Sequence, residues 1–161
     1  MHTNPANYST LLGGERKIGI YTDSLLENAG TWGGTINFAN ATKTHTGAFA
    51  ISMEITSSGS WGGFNLKRRQ GPLYTAGYDR IAFYVHPNGN AHQLLIQTQN
   101  QAGTNSTQVS FNVSSGDAWV LVEIPLSSLG NPADIMRITI QDGTGGTQPL
   151  FYIDDIMLIG P

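Results

Sequence analysis

Apolar and polar residues alternate over short stretches, and turn-forming clusters interrupt them. The stretches from Phe49 to Ile55, Ile81 to Val85, Val120 to Ile124 and Met136 to Ile140 place an apolar side chain at every second position. Successive side chains of a β-strand point to opposite faces, so each stretch predicts a half-buried strand. About ten such strands can be counted, and none has sustained helical periodicity. The pattern predicts an all-β fold, a two-sheet antiparallel β-sandwich, with room for one helical turn within residues 126–134.

The same alternation sorts the side chains by face. The apolar members predict the core, namely Ile51, Met53, Phe64, Leu66, Ile81, Phe83, Val85, Leu94, Ile96, Val109, Phe111, Val120, Val122, Ile138 and Ile140. Long polar or aromatic side chains occupy the opposite faces, namely Arg80, Tyr84, His86, Gln97, Gln99, Trp119, Arg137 and Gln141. Amides and guanidinium groups pair with sugar hydroxyls, and flat rings pack on sugar C–H faces. We therefore treat this second set as candidate ligand contacts, although any one of them can simply be solvated.

Composition narrows the classes of partner. The chain has 161 residues, enough for one domain, with a net charge of −3 and only 12% charged residues. An uncharged polar partner fits this mix better than nucleic acid, for which a basic patch is expected. There is no Cys, and no apolar run has the length of a membrane span. Residues 1–14 lack the features of a signal peptide and are interpreted as a linker or an expression tail, with one domain at 15–161.

The last predicted strand, from Leu150 to Ile159, carries two adjacent carboxylates, Asp154 and Asp155. Neighbouring side chains on a strand point to opposite faces, so both cannot face a dry core. One of them is expected to lie at a rim or to meet a cation.

Four segments in this order resemble a known family. They are residues 20–25 (IYTDSL), 59–64 (GSWGGF), 118–129 (AWVLVEIPLSSL) and 152–156 (YIDDI). Together they resemble the jelly-roll carbohydrate-binding modules of secreted plant-polysaccharide hydrolases, closest in pattern to the groups that bind β-glucan and xyloglucan. The resemblance implies a jelly roll with one curved glycan-binding face and a catalytic domain in the same polypeptide. Secretion, suggested by the composition, and a monomeric state are further expectations.

In these modules a carboxylate of the closing strand often helps to hold a structural calcium ion. Calcium prefers six to eight oxygen ligands, including backbone carbonyls. Asp23, just after the first strand, together with Asp154 and Asp155, are the candidate ligands here. The chain ends of such sandwiches lie close together, so these positions are expected to meet. No His pair has metal-ligand spacing.

Two of the three Trp residues, Trp32 and Trp61, are each followed by Gly-Gly. Glycine has no side chain, so another surface can approach the ring closely. Strict alternation with Phe64 and Leu66 places Trp61 outward with Gly63, which predicts a stacking platform for sugar. A core role stays open for both residues. Trp119 follows a turn at the start of a core strand and is interpreted as structural.

Four other functions stay open: a glycosidase, a lyase, an acidic-polysaccharide binding module, and a structural or adhesion sandwich. A glycosidase needs two carboxylates across one bond, and Glu54 with Glu123 is the only serious pair. A lyase would require Tyr84, His86 and Arg137 to cluster. An acidic polysaccharide such as pectin or alginate would be recognised by cations, namely Lys67, Arg68, Arg69, Arg80 and Arg137. No motif for a nucleophile or a phosphate loop is present, and a non-catalytic module is the favoured interpretation.

Overall fold

The computed structural model describes residues 15–161, so the assignment of residues 1–14 to a linker or tail lies outside it. Within the described residues the chain forms thirteen strands and one 3₁₀-helix, Leu126–Leu129, where one helical turn was predicted. The strands are β1 (Arg16–Tyr21), β2 (Asn28–Trp32), β3 (Gly34–Asn40), β4 (Ala50–Ile55), β5 (Gly63–Lys67), β6 (Leu73–Tyr74), β7 (Arg80–His86), β8 (His92–Gln99), β9 (Val109–Val113), β10 (Val120–Pro125), β11 (Asp134–Ile135), β12 (Arg137–Asp142) and β13 (Gln148–Gly160). No helix in residues 15–161 is long and apolar enough to cross a bilayer.

Two antiparallel sheets contain almost all of these strands. The first sheet has the order β10-β7-β13-β4-β3, and β1 pairs with the second half of β13. The second sheet has the order β2-β5-β12-β8-β9, and β6 pairs with β11 as a separate ribbon. The predicted all-β, two-sheet antiparallel sandwich is confirmed.

The core lies between the two sheets, where the apolar faces of both meet. Predicted core residues on the central strands are buried, and T-shaped ring pairs such as Phe83 with Phe111 connect the layers. The predicted residues on the edge strands β9 and β10 are less buried, with Val120 40% exposed. An edge strand has a neighbour on one side only, which leaves part of its inward-pointing surface open to water.

The closing strand β13 is longer than predicted and lies centrally in the first sheet. It pairs with β4 on one side, with β1 further along that side, and with β7 on the other. The register with β7 shifts between Asp154 and Met157, and Asp155 has a positive φ of 52°. This β-bulge lets both Asp154 and Asp155 be buried on the same strand, which strict alternation would not allow.

Residues with positive φ set two strand boundaries. The segment from residue 28 to 32 is β2, and Gly33 (φ 74°) separates it from β3 in the other sheet. Trp61, predicted to lie on a strand, has a φ of 53° and precedes β5.

Candidate functional site

Polar side chains line the outer face of the second sheet in rows that cross its strands. Residues paired directly across an antiparallel ladder share a face. One row is Asn65, Thr139 and Gln97. The parallel rows contain Lys67, Arg137 and Gln99 on one side, and Trp32, Gly63, Gln141 and Leu95 on the other. We call this surface the polar face, defined by Trp32, Asn65, Lys67, Leu95, Gln97, Gln99, Arg137, Thr139 and Gln141.

Several side chains of the polar face have no hydrogen-bond partner within residues 15–161. Among the side-chain hydrogen bonds of residues 15–161, none uses the side chain of Asn65, Thr139 or Gln141. The Nε atom of Arg137 is buried and also has no hydrogen-bond partner in the described structure. Leaving a buried donor unpaired costs about 1–3 kcal/mol, so this set is poorly satisfied by the protein alone.

Gln97 and Gln99 each use one end of the amide to hold the loop at the margin of the face. Their Nε2 atoms donate to Ser106 O and Asn105 Oδ1, both at 3.0 Å. An amide has an oxygen acceptor as well as two N–H donors, so each side chain keeps capacity for a further partner. The loop therefore fixes the orientation of both glutamines at one edge of the polar face.

Trp32 and Trp61 lie together at one end of the polar face, and we call this pair the aromatic corner. The indole Nε1 of Trp32 donates to the carbonyl oxygen of Trp61 at 2.9 Å. The ring of Trp61 lies against Gly145, where a Cβ atom would be 3.0 Å from Trp61 Cζ2. Trp61 remains 44% exposed. It is thus an exposed ring as predicted, but a loop contact rather than strand alternation sets its orientation.

The loop beneath Trp61 is held by Asp142, whose side chain is fully buried. Its Oδ1 accepts from Thr144 N, Thr144 Oγ1 and Gln148 Nε2 at 2.7–3.0 Å, and its Oδ2 accepts from Gly145 N at 2.8 Å. Burial alone would raise the pKa of this carboxyl. The hydrogen bonds to the charged form outweigh burial and lower the pKa of Asp142 below its ordinary value.

Two predicted ligand contacts, Tyr84 and His86, lie on the outer face of the first sheet, away from the polar face. The His45 ring stacks on Tyr84 with ring centroids 3.6 Å apart. Trp119 contacts His45 and His86 edge-on, and His86 also meets the Tyr152 ring. The loop that carries His45 thus covers this part of the sheet. Tyr84 and His86 cannot share one site with the polar face, whereas Trp119 has the packing contacts expected of a structural residue.

Arg80 also belongs to the first sheet. Its guanidinium binds three carboxylates, Glu15 and Glu123 at 2.6 Å and Asp79 at 2.8 Å. The hydrogen bond to Asp79, together with those to the other two, raises the pKa of Arg80 despite burial. Arg80 was predicted as a ligand contact together with the glutamines, but strand pairing places it on the opposite side of the sandwich from them.

The predicted catalytic arrangements are not assembled. Glu54 lies on β4 and Glu123 on β10, and two strands, β13 and β7, separate them in the first sheet. Three strand spacings amount to about 14 Å, more than the 5–9.5 Å between paired glycosidase carboxylates. The lyase set of Tyr84, His86 and Arg137 is divided between the two outer faces.

The three predicted calcium ligands do converge near the chain ends. Asp23 Oδ1 accepts from Ala48 N and Phe49 N, at 2.5 and 2.9 Å. Asp154 Oδ2 accepts from the backbone N–H groups of residues 45 and 46, at 2.8 and 3.2 Å. Asp155 contacts the ring of His45 at 2.6 Å. All three carboxylates therefore hold the same loop, residues 45–49.

The pKa values of Tyr21 and Asp154 reflect the negative charge of these three carboxylates. The pKa of Tyr21 is raised by burial and by the charges of Asp154, Asp23 and Asp155. The pKa of Asp154 is also raised, first by burial, which its backbone hydrogen bonds only partly offset, and further by Asp155. Within residues 15–161 no three His, Asp or Glu side chains enclose a metal ion by themselves. A calcium ion would therefore need backbone carbonyls or water as well as these carboxylates.

Sequence reasoning missed Asn65 and Thr139, although the period-two pattern was sufficient to find them. Asn65 lies between Phe64 and Leu66, and Thr139 between Ile138 and Ile140, so both must point away from the core. It also missed Asp142 and Gln148. The partners of the Asp142 side chain lie only two to six residues further along the chain, whereas Gln148 also contacts His92 and Gln93, 56 and 55 residues away, which no local pattern indicates.

Comparison with known proteins identifies the fold. No protein-family model and no curated protein matches the chain. Solved structures of β-sandwich carbohydrate-binding modules match it over most of its length, which confirms the jelly-roll type that the sequence motifs implied.

Two of these structures illustrate the similarity. The family 11 carbohydrate-binding module of the cellulosomal cellulase Lic26A-Cel5E of Clostridium thermocellum has a TM-score of 0.66 and 16% identity, covering 90% of this chain and 95% of that one. A mutant of a family 29 carbohydrate-binding module complexed with mannohexaose has a TM-score of 0.64 and 16% identity, covering 90% and 92%. At this level of identity the similarity establishes the fold.

The lowered pKa of Asp142 generates a prediction about acid stability. A group with a depressed folded-state pKa contributes stability above its unfolded pKa, about 3.9, and loses it as the pH falls further. Asp142→Asn should therefore lower the melting temperature at neutral pH, and the gap from the wild type should narrow below about pH 4. Thermal melts over a pH series measure this gap. Asp117→Asn is the control, because the Asp117 side chain is 84% exposed. A gap for Asp142→Asn that is constant across the series would contradict the assignment.

Proposed function

We propose that this chain is a non-catalytic carbohydrate-binding module whose polar face and aromatic corner bind a neutral plant cell-wall polysaccharide of the β-glucan or xyloglucan type. The observation that carries the proposal is a set of polar side chains that have no hydrogen-bond partner within residues 15–161 and lie beside two Trp residues on an open sheet face. Sugar hydroxyls need donors and acceptors, and the Trp rings offer apolar surface to sugar C–H groups.

The structural neighbours support the chemistry of this ligand. Family 29 modules with the same fold were solved with cellulohexaose and with mannohexaose, which are chains of neutral sugars. The family 11 neighbour is part of a cellulase. By analogy, we propose that this module is secreted as a monomeric unit of a longer polypeptide and holds an attached glycoside hydrolase on its substrate, which raises the local enzyme concentration.

The shape of the polar face favours an extended chain over a small enclosed ligand. A cavity of about 230 Å³, lined by groups such as Tyr78 and Asn131, lies elsewhere. A second, of about 250 Å³, lies at the margin of the face, where Asn105 and Ser106 line it. A third, of about 360 Å³, borders the face at Gln93 and Asn112. A polymer bound to an open sheet surface can extend past both edges of that surface.

A second candidate is an acidic polysaccharide, which one observation favours. Lys67 and Arg137 are direct cross-strand neighbours on the polar face. Of the other predicted cations, Arg68 pairs with Glu27 at 3.3 Å and Arg80 binds carboxylates on the opposite sheet. Lys67 and Arg137, with the exposed Arg69 beyond the end of β5, are few cations for a polyanion, so the neutral ligand is the better supported proposal.

We further propose that a structural calcium ion binds near Asp23, Asp154 and Asp155. Burial and the charge of Asp155 raise the pKa of Asp154, and a hard divalent cation would offset the negative charge that gathers at this point. These residues lie on the first sheet and its connections, away from the polar face.

Trp61→Ala tests the binding site. It should weaken binding by about 1–3 kcal/mol, the scale of removing one large apolar contact, with a small change in melting temperature. Affinity electrophoresis and calorimetry against barley glucan, xyloglucan, xylan, mannan and laminarin measure the effect. Trp119→Ala is the matched control: it should lower the melting temperature and leave the affinity of the folded fraction unchanged. If Trp61→Ala instead lowers the melting temperature and leaves affinity unchanged, while Trp119→Ala weakens binding, the binding site lies outside the polar face. Cleavage of any polysaccharide would identify an enzyme.

Salt dependence separates the two ligand classes. A neutral glycan forms no ion pairs, so its affinity should change by less than about twofold between low and physiological ionic strength. Calorimetric titrations at both salt concentrations measure this. A steep loss of affinity with salt, abolished in Lys67→Gln, would favour an acidic glycan instead.

Chelation tests the calcium proposal. An ion that binds only the folded state stabilises that state by mass action. The stabilisation is about 2.7 kcal/mol when the free ion concentration is a hundred times the dissociation constant. Excess chelator should therefore lower the melting temperature of the wild type and have little effect on Asp154→Asn. Glycan affinity at low temperature should persist without the metal. An unchanged wild-type melting curve would exclude the ion.

A further inference from the structure

A buried polar network links His92, Gln148 and Asp142, and we call it the His92 network. His92 and Gln148 are each 3% exposed and Asp142 is fully buried. Gln148 lies between the other two: its Oε1 is 2.8 Å from His92 Nδ1, and its Nε2 is 2.8 Å from Asp142 Oδ1. Gln148 thus connects an imidazole to a carboxylate inside the sandwich.

The orientation of the Gln148 amide follows from its surroundings. Its Nε2 faces two oxygen acceptors, Asp142 Oδ1 and Gln93 O, the latter at 3.0 Å. A flipped amide would place Oε1 against both of these oxygens, with no proton between them. The oxygen of the amide must therefore face His92.

Both ring nitrogens of His92 then face oxygen acceptors. Nδ1 meets Gln148 Oε1 at 2.8 Å, and Nε2 meets Pro87 O at 2.9 Å. A neutral imidazole carries one N–H, so it would leave a nitrogen lone pair against an oxygen at less than 3 Å. Only the imidazolium donates from both nitrogens.

Asp142 supplies the opposite charge across Gln148. The other elements packed around the ring contribute the Phe151 ring, with centroids 4.4 Å apart, and Val113, the cross-strand partner of His92. In the described part of the chain, Asp142 is the ionisable group that these contacts bring toward His92. The lowered pKa of Asp142 is consistent with a charged carboxylate throughout the neutral range.

His86 provides an internal contrast. It is also buried, 5% exposed, but its Nδ1 accepts a hydrogen bond from Asn88 N at 3.1 Å. That nitrogen must be unprotonated, and Nε2–H can face Asp117 at 3.4 Å. Burial, and after it the charge of Lys43, lowers the pKa of His86. The neutral ring therefore satisfies the contacts of His86, as the imidazolium satisfies those of His92.

The His92 network ends at the aromatic corner. Asp142 accepts from Gly145 N, Gly145 O accepts from Gly59 N at 2.8 Å, and the Trp61 ring lies against Gly145. Any loosening of Gln148 and Asp142 would therefore reach the loop that supports the ring.

We propose that His92, held as an imidazolium, is a positioning residue for the glycan site: through Gln148 and Asp142 it fixes the loop beneath Trp61, and loss of its proton loosens the aromatic corner. This inference rests on the proposed function for its effect on affinity, but the state of the ring and of the loop can be measured without any ligand. As the pH rises, the charged ring and its contribution to loop order are lost together.

Nitrogen NMR of the imidazole side chains tests the charge directly. At about pH 7, His92 should show two protonated ring nitrogens, while His86 shows one, as expected for a neutral ring. Gln148→Met, which keeps the length of the side chain and removes the amide, should abolish the doubly protonated signal of His92. Gln93→Met is the matched control, because the Gln93 side chain is exposed. A wild-type His92 that is neutral at this pH overturns the proposal, even if Gln148→Met does not fold.

Amide exchange and binding test the positioning. The pH is raised until the NMR signal of His92 changes. Hydrogen exchange of the Gly145 N–H, corrected for its intrinsic pH dependence, should then accelerate over the same pH range. The fluorescence emission of Trp61 should shift as well. Glycan affinity should fall by about tenfold in the wild type and in Gln93→Met, with no such pH dependence in Gln148→Met. A Gly145 amide whose corrected protection does not follow the His92 signal overturns the positioning role. If that protection follows the signal but no glycan binds at any pH, the proposed function fails and the His92 network stands.

Discussion

The central position of β13 in the first sheet is the constraint on which the rest of the structure depends. This strand pairs with β4, β1 and β7, so it joins the two ends of the described chain to the middle. Its bulge at Asp155 turns two consecutive carboxylates toward one loop, residues 45–49, which they hold by hydrogen bonds. That loop stacks His45 on Tyr84 and closes part of the outer face of the first sheet. The second sheet keeps the open face.

This division explains why the two outer faces differ in chemistry. On the first sheet the polar groups are satisfied by one another, as in the carboxylates around Arg80 and the rings around His86. On the second sheet Asn65, Thr139 and Gln141 have no partner within the described structure. Polar groups that the protein does not pair remain bound to water, and a ligand that offers matched hydroxyls can replace that water at little enthalpic cost.

The period-two pattern was sufficient to predict the fold class, most of the core and the long polar side chains of the second sheet. It could not predict which strands share a sheet, so Arg80, Tyr84 and His86 were grouped with Gln97 and Arg137, which lie on the opposite side. Alternation within a strand says which residues share a face of that strand, but strand order depends on long-range pairing. The same limit concealed the His92 network, whose members come from β8, β12 and β13.

The two Trp-Gly-Gly segments show how one sequence signal predicted an exposed Trp61 ring for an incomplete reason. Glycine was expected to leave open space beside the ring, yet a Cβ at Gly33 would lie 2.6 Å from Gly62 Cα, and one at Gly62 would lie 2.9 Å from Trp32 O. The glycines therefore bring the two backbones into contact, and Trp32 Nε1 can then reach Trp61 O. A corner fixed in this way does not have to be ordered when a ligand arrives, which lowers the entropic cost of binding. The close approach of the backbones, rather than free space over the rings, is thus what orders this corner, the proposed stacking site.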